Sequence, residues 1–218
     1  DSLVRGNADL VSVRHTNAGQ IDIDQSAISI EGALIAELGG SEMAQPESSL
    51  RVHLEHVTAF VGNSLLRVES GDAPRELLPV SIQARNNLIG SRTPAPLVAM
   101  SGTTNAEDFR RLLRWHGEKN FYDRFESYWT IITPQGVTEF DSLDFESWKK
   151  IWTATPETSE VGAVRGGIGW TTRWWEQPAR DLATSDLDLN GASAATGAAT
   201  DGSNIGVDLI RLPIVSRP

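Results

Sequence analysis

Between Gln20 and Met100 one pattern is written three times, and no feature of the chain constrains its fold more. The copies begin Ile21-Asp-Ile-Asp, Val52-His-Leu-Glu and Val80-Ser-Ile-Gln. Each continues into a second apolar run ending at Gly32, Gly62 or Gly90, and then into a third around Leu34-Ile35, Leu65-Leu66 or Leu97-Val98. The marker glycines are 30 and 28 residues apart. Self-similarity at a period of roughly 20–50 residues is the mark of a solenoid, propeller or array. Val, Ile and Leu alternating with polar residues predict strands rather than helices. A unit of three short strands cannot bury its apolar face alone, but stacking on the next unit does so. The turn-rich inserts Gly39–Glu42, Ser70–Pro74 and Ser91–Pro94 read as lying between copies, and short strands with variable loops at one corner suit a parallel β-solenoid. An antiparallel sandwich is the alternative, and it places the repeat less easily.

Residues 1–19 carry a partial earlier copy, with Leu10-Val11 matching Leu34-Ile35. After Thr103 the texture changes. Asn105–Trp115 predicts a short helix capped by Asn105, with Phe109, Leu112 and Leu113 on one face. Leu88 and Phe121 lie 33 residues apart, so this helix is an insert in a further rung, with Tyr128–Ile132 its next strand. Asp141–Trp152 predicts a second helix, with Phe145, Trp148 and Trp152 at i, i+3 and i+7. Pro134-Gln-Gly136 reads as a turn, and Val161–Val164 and Gly169–Trp175 as possible strands. The expected organisation is a single domain over 1–218, with regular rungs over 1–102, a rung with two helical inserts over 103–152, and C-terminal rungs and an aromatic-rich cap over 153–218.

The formal charge of −10 and the absence of any Lys/Arg-rich run argue against nucleic acid and anionic membrane as partners. No apolar run approaches the roughly 20 residues that cross a bilayer. There are no cysteines, which excludes disulfides, zinc thiolates and a cysteine nucleophile. The chain opens at Asp1 inside strand-like sequence, so it reads as the C-terminal part of a larger protein with further chain upstream.

The repeat, with the closing pieces Leu187-Asp-Leu-Asn-Gly-Ala-Ser-Ala-Ala195 and Asp201-Gly-Ser-Asn-Ile-Gly-Val-Asp208, resembles a right-handed parallel β-helix of the pectin-lyase-like class. A Pro expected in the first piece is replaced by Ala194 after Ser193. The segments Phe109–Trp115, Asn120–Phe125 and Phe145–Trp148 are similar to C-terminal regions of large planctomycete proteins, some described as serine/threonine kinases for a separate kinase domain. No kinase motif stands here, so no kinase activity is implied. The resemblance implies an all-β solenoid with two helical inserts. Enzymes of that class use carboxylate pairs, or Ca²⁺-bound acids with a basic residue, but no Asn-x-Asp strand followed by a Gly-His-Gly turn occurs in this chain.

Candidate chemistry lies on residues that point outward. If the copies align at Val52 and Val80, one column is Asp22, His53 and Ser81 and the next is Asp24, Glu55 and Gln83. The first has the residue types of a nucleophilic triad, and the second stacks two carboxylates that suit Ca²⁺ or glycosidic acid–base chemistry. The plain reading of both is a ladder of solvated polar groups. His15, His53, His56 and His116 show no metal-ligand spacing, and no metal or cofactor is expected. Asn87 and Asn120 hold matching places and are expected to stack inside the turns. Trp170, Trp174 and Trp175, with Arg173, are the candidate ligand surface, aromatic area on which a sugar stacks, or else the cover of open strand edges. The expected function is a non-catalytic scaffold or binding module for carbohydrate or protein. The alternative is a polysaccharide lyase or glycoside hydrolase using Asp22, Asp24, His53 and Glu55.

Overall fold

The computed structural model describes residues 1–70, 76–102, 106–132, 141–154 and 157–215. The Asn105 cap, the Pro134–Gly136 turn and most of the Ser70–Pro74 insert lie outside those residues. Among the described residues the chain is mostly β, with two α-helices. In order it forms β1 (Ser2–Gly6), β2 (Val11–Val13), β3 (Gly19–Asp24), β4 (Ser26–Ile30), β5 (Ile35–Glu37), β6 (Leu50–Glu55), β7 (Thr58–Val61), β8 (Leu66–Glu69) and β9 (Val80–Arg85). There follow β10 (Leu88–Ser91), β11 (Pro96–Ser101), α1 (Ala106–Arg111), β12 (Leu113–Glu118), β13 (Phe121–Asp123) and β14 (Ser127–Ile132). The last elements are β15 (Asp141–Leu143), α2 (Phe145–Thr153), β16 (Ser159–Val161) and β17 (Val164–Arg165), followed by short 3-10 turns.

These strands stack into three sheets, as a parallel β-solenoid. Sheet A runs β1-β4-β7-β10-β13-β17, sheet B runs β15-β14-β11-β8-β5-β2, and sheet C runs β16-β12-β9-β6-β3. Among the described strands every pairing is parallel except β14 with β15. Both helices and the Gly39–Glu42 insert lie where the chain passes from sheet B to sheet C, but Ser91–Pro94 leads from the end of β10 in sheet A to β11 in sheet B, inside a coil rather than between copies. Val11 pairs with Ile35 and Leu88 with Phe121, as the repeat predicts.

The register corrects the third copy. Val80 pairs with Leu50 rather than Val52, Ile82 with Val52, and Leu88 with Thr58. A slip of two residues keeps the same side chains inward, so period-2 alternation cannot detect it. The glycine markers misled because Gly90 pairs with Phe60 and does not share the corner of Gly62. It sits under Trp174, where an added Cβ would come within 2.8 Å of the indole.

The first helix is shorter than the sequence predicts. Leu113 and Trp115 alternate with Arg114 and His116 in a strand paired to β9, so the period-2 signal wins over the helical one after Leu112. In α2 the Asp144 carboxylate accepts a hydrogen bond from the Ser147 N–H at 2.8 Å. Phe145, Trp148 and Trp152 are all buried. Trp148 meets Trp115 edge-on at 5.1 Å, and Trp152 stacks on Trp129. The tryptophans of α2 thus fill the lumen of the last coil.

Inside the lumen Asn87 and Asn120 are fully buried and stacked. The Asn87 carboxamide accepts from Val57 N–H at 2.8 Å and donates to Leu54 C=O and Asn120 Oδ1, both at 3.0 Å. Asn120 donates to Ala84 C=O at 2.8 Å and to Glu160 Oε1 at 3.4 Å. Corner backbone groups that no strand can reach are satisfied in this way. Glu160 ends the ladder. It pairs with Gly117, whose missing Cβ leaves room for the carboxyl. Its Oε2 accepts from Trp115 Nε1–H and from Tyr122 O–H. Burial pushes its pKa up to about 7 against the pull of these donors. Glu37, equally enclosed near sheet B, is also raised to about 7 by burial, while Leu78 and Gly39 N–H groups hold one oxygen.

Another recurring feature is the corner from sheet C to sheet A. Gln25, His56, Asn86 and Lys119 each occupy it with positive φ, between 44° and 56°. One left-handed residue there turns the chain between two strands without a loop.

A second core lies outside the solenoid. Ala27, Phe60, Leu88 and Phe121 project from the outer face of sheet A and are 0–3% exposed. Trp174, Leu182, Leu187, Ile205 and Val207 cover them. The segment from 166 to 215 forms no regular strand; it crosses the stack as a strap. Gly169–Trp175 is therefore not a strand, apart from one isolated Trp170–Leu189 bridge. The strap is bound at every level. Arg5 donates to Leu182 C=O at 2.6 Å, and Ala179 N–H to Glu31 at 2.8 Å. Val207 N–H donates to Thr58 Oγ1 at 3.0 Å, and Gly206 N–H to Asn86 C=O at 2.8 Å. Both pieces of the closing motif, 187–195 and 201–208, belong to this flank.

Candidate functional site

With the outer face of sheet A covered by the strap, the outer face of sheet C is the accessible one that carries chemistry. Its inward residues, such as Leu50, Val52, Leu54, Val80, Ile82 and Ala84, are at most 2% exposed. The residues between them must therefore point out. In register they form three columns. The first is Gln20, Arg51, Ser81 and Arg114. The second is Asp22, His53, Gln83 and His116, and the third is Asp24, Glu55, Arg85 and Glu118.

This arrangement overturns two expected groupings. Ser81 stands opposite Arg51, one pleat away from the row of His53, whose neighbour is Gln83. No Asp-His-Ser column exists. The stacked carboxylates Asp24 and Glu55 do adjoin, but the next residue in their column is Arg85 rather than Gln83. Glu55 lies 3.4 Å from His53 Nε2 and 3.8 Å from an Arg85 nitrogen. Arg85 also pairs with Glu118 at 3.3 Å. Asp22 accepts two hydrogen bonds from the Gln20 amide, at 3.1 and 2.8 Å. Glu55 and Glu118 are thus engaged with Arg85 in a lateral charge ladder. Among the described residues no three His, Cys, Asp or Glu side chains converge to hold a metal ion.

Arg51 and Arg114 differ from this ladder. Both are exposed, and no carboxylate pairs with either among the described residues. Two recesses meet at Arg51 and Ser81. One, of about 320 Å³, is lined by Gln20, Asp22, His53 and Gln83 as well. The other, of about 490 Å³, extends past Ser48 and Ser49 to Arg111 and Arg114. Neighbouring strands lie about 4.8 Å apart, so the arginines flanking Ser81 span roughly twice that. The sequence reading passed over Arg51 and Arg114 because it began the second copy at Val52 and placed Arg114 on a helix. The available signal was Leu50-Arg-Val-His-Leu-Glu, a full six-residue alternation.

The tryptophan surface is arranged differently from expectation. Trp174 is fully buried, its ring stacked on Phe60 at 3.7 Å and nearly parallel to it, which leaves it no face for a ligand. Trp170 is half-buried, edge-on to Phe60, and donates to Asp123 Oδ2 at 3.0 Å. Burial raises the Asp123 carboxyl against that bond. The Arg124 guanidinium covers the Trp175 ring at 4.4 Å. Arg173 is exposed and pairs with Glu176 at 3.1 Å. These four residues hold the strap's outer layer together. Arg92, beneath it, is 7% exposed; burial lowers its pKa while Glu31 beside it raises it.

No family model, no curated protein and no solved structure matches this chain. The resemblance to pectin-lyase-like chains thus rests on the repeat and closing segments that suggested it.

Proposed function

We propose that this chain is a non-catalytic β-solenoid binding module of a larger protein, taking a carbohydrate that carries acidic groups on the outer face of sheet C. The observation that carries this reading is a pair of exposed arginines, Arg51 and Arg114, on either side of Ser81 and without a carboxylate partner among the described residues, with Arg51 and Ser81 at the junction of two recesses. On a chain of net charge −10, two cations without carboxylate partners among the described residues favour an anionic ligand, and guanidinium groups bind carboxylate or sulfate bidentately. The polar neighbours Gln20, Gln83, Ser48 and Ser49 suit sugar hydroxyls. The ligand is moved away from the tryptophans because Trp174 is inside the second core and Trp175 carries Arg124. The enzymatic alternative retains one supporting contact, the stacked pair Asp24 and Glu55.

The test is titration calorimetry with a panel of neutral, carboxylated and sulfated oligosaccharides. The wild-type chain is expected to bind acidic members. The double substitution Arg51→Ala with Arg114→Ala is expected to weaken that binding by at least about tenfold, one good charge-assisted contact. Unchanged affinity in the double variant overturns the assignment. Release of new sugar ends by the wild-type chain, abolished by Asp24→Asn with Glu55→Gln, replaces it with the enzymatic reading.

A further inference from the structure

The stack finishes differently at its two ends. At one end α2 closes the lumen with Phe145, Trp148 and Trp152, and β15 runs antiparallel along the edge of sheet B. At the other end β1, β2 and β3 are simultaneously the edge strands of sheets A, B and C. Their outer N–H and C=O groups face away from the stack. The inward positions of this coil are Val4, Leu10, Val11, Ile21 and Ile23, all only partly buried. Their counterparts one coil further on, Ile28, Leu34, Ile35, Val52 and Leu54, are 0–1% exposed. A terminal repeat ordinarily presents polar residues outward, because an apolar end face invites association. This coil instead keeps the same aliphatic column as the interior.

We infer that this end is a docking face for one more coil of parallel β-solenoid, supplied by a preceding segment of the same polypeptide. This rests on the reading of the chain as a module of a larger protein, and is independent of what sheet C binds. Three observations select that occupant. The coil-to-coil interface is already built at every internal level and continues unchanged to this face. All three open edges run in the sense that a preceding coil would follow, so strands of the same direction about 4.8 Å away meet all of them at once. A second copy is less suited. Stacked head to tail it meets α2 and the antiparallel β15, and turned head to head it runs its strands against the parallel order and breaks the inward columns.

The experiment is a graft of the chain's own coil. Residues 26–56 comprise β4, β5 and β6 and end on His56, whose positive φ makes the corner into sheet A. A duplicate of this segment is joined directly to Ser2, the residue that pairs with Ser26. A second graft uses residues 57–86, which end on the corner residue Asn86. The expected result is a monomer of higher melting temperature in which amide exchange across β1–β3 slows by at least about tenfold, the mark of edges brought into a cooperative unit. If neither graft protects β1–β3, the end is already complete and the inference fails. A concentration-dependent dimer of the ungrafted chain, with β1–β3 protected in the dimer, also overturns it in favour of a second copy. Sheet C keeps Arg51 and Arg114 in the first graft, so loss of glycan binding and loss of edge docking are read separately.

Discussion

Replacing Glu160 by Gln should remove a pH dependence of stability that the wild-type fold carries. The unfolded carboxyl titrates near 4.5 and the folded one near 7. Below about 4.5 both states hold the proton, and the shift has no effect. Between the two values the fold keeps a proton that the unfolded chain has released, so stability falls as pH rises. Above about 7 the loss is complete. At about 1.4 kcal/mol per unit, the shift amounts to about 3 kcal/mol, most of it spent between pH 5 and pH 8. Glu37 contributes with the same sign over the same window, and Asp123, raised above 3.8 by burial, has the same sign. The lowered carboxyls of Asp144 and Asp201 act only below their ordinary value of 3.8, outside that window. The assay is urea unfolding followed by tryptophan fluorescence at about pH 5 and about pH 8. Glu160→Gln should lose about 2–3 kcal/mol less than wild type between the two. The amide keeps an acceptor for Trp115 or Tyr122 without the ionisable proton, and the other titrating groups cancel in the comparison. An equal loss in variant and wild type would refute the argument, because it would mean that the lumen solvates the ionised carboxylate.

Asn87→Ala strands Val57 N–H and removes the side-chain donor to Leu54 C=O inside the lumen, while the Asn120 oxygen keeps the N–H of residue 87. It is expected to cost about 4 kcal/mol in chemical denaturation, and a cost under about 1 kcal/mol would mean that water replaces the ladder. Lys119→Gly at the left-handed corner, φ 54°, relieves a Cβ penalty larger than the entropy glycine adds. It is expected to raise stability by up to about 1 kcal/mol, read from the same unfolding midpoint; destabilisation would show that the Lys119 side chain matters more than its backbone.

Much of the fold was legible because the signals were local and repeated. Ile21-Asp-Ile-Asp and Val52-His-Leu-Glu alternate with a period that only a strand uses, and recurrence at 30 or so residues makes stacking the one way to bury them. The pairing of Asn87 with Asn120 was legible for the same reason. The site was less so. Whether Ser81 or Gln83 lies beside His53 depends on a two-residue register choice to which the hydrophobic pattern is blind. Arg114 was hidden because a helical and a strand pattern overlap around Leu112 and Leu113. Glu160 offered no signal at all: a lone carboxylate near glycines looks like any surface acid until Gly117, Trp115 and Tyr122 close over it.

The sequence by itself determined that this chain is a repeat of short strands buried by stacking, and which residues of those strands face inward. Only the tertiary structure decided where the C-terminal segment goes. Trp174 carries no periodic partner in sequence, because its contacts with Phe60 and Gly90 come from strands more than eighty residues away. The covering of sheet A follows from those contacts. So does the exposure of sheet C, where side chains that the register aligns, Arg51, Ser81 and Arg114, become one surface. Periodicity fixes the direction in which a side chain points, and packing against distant chain fixes what it meets there.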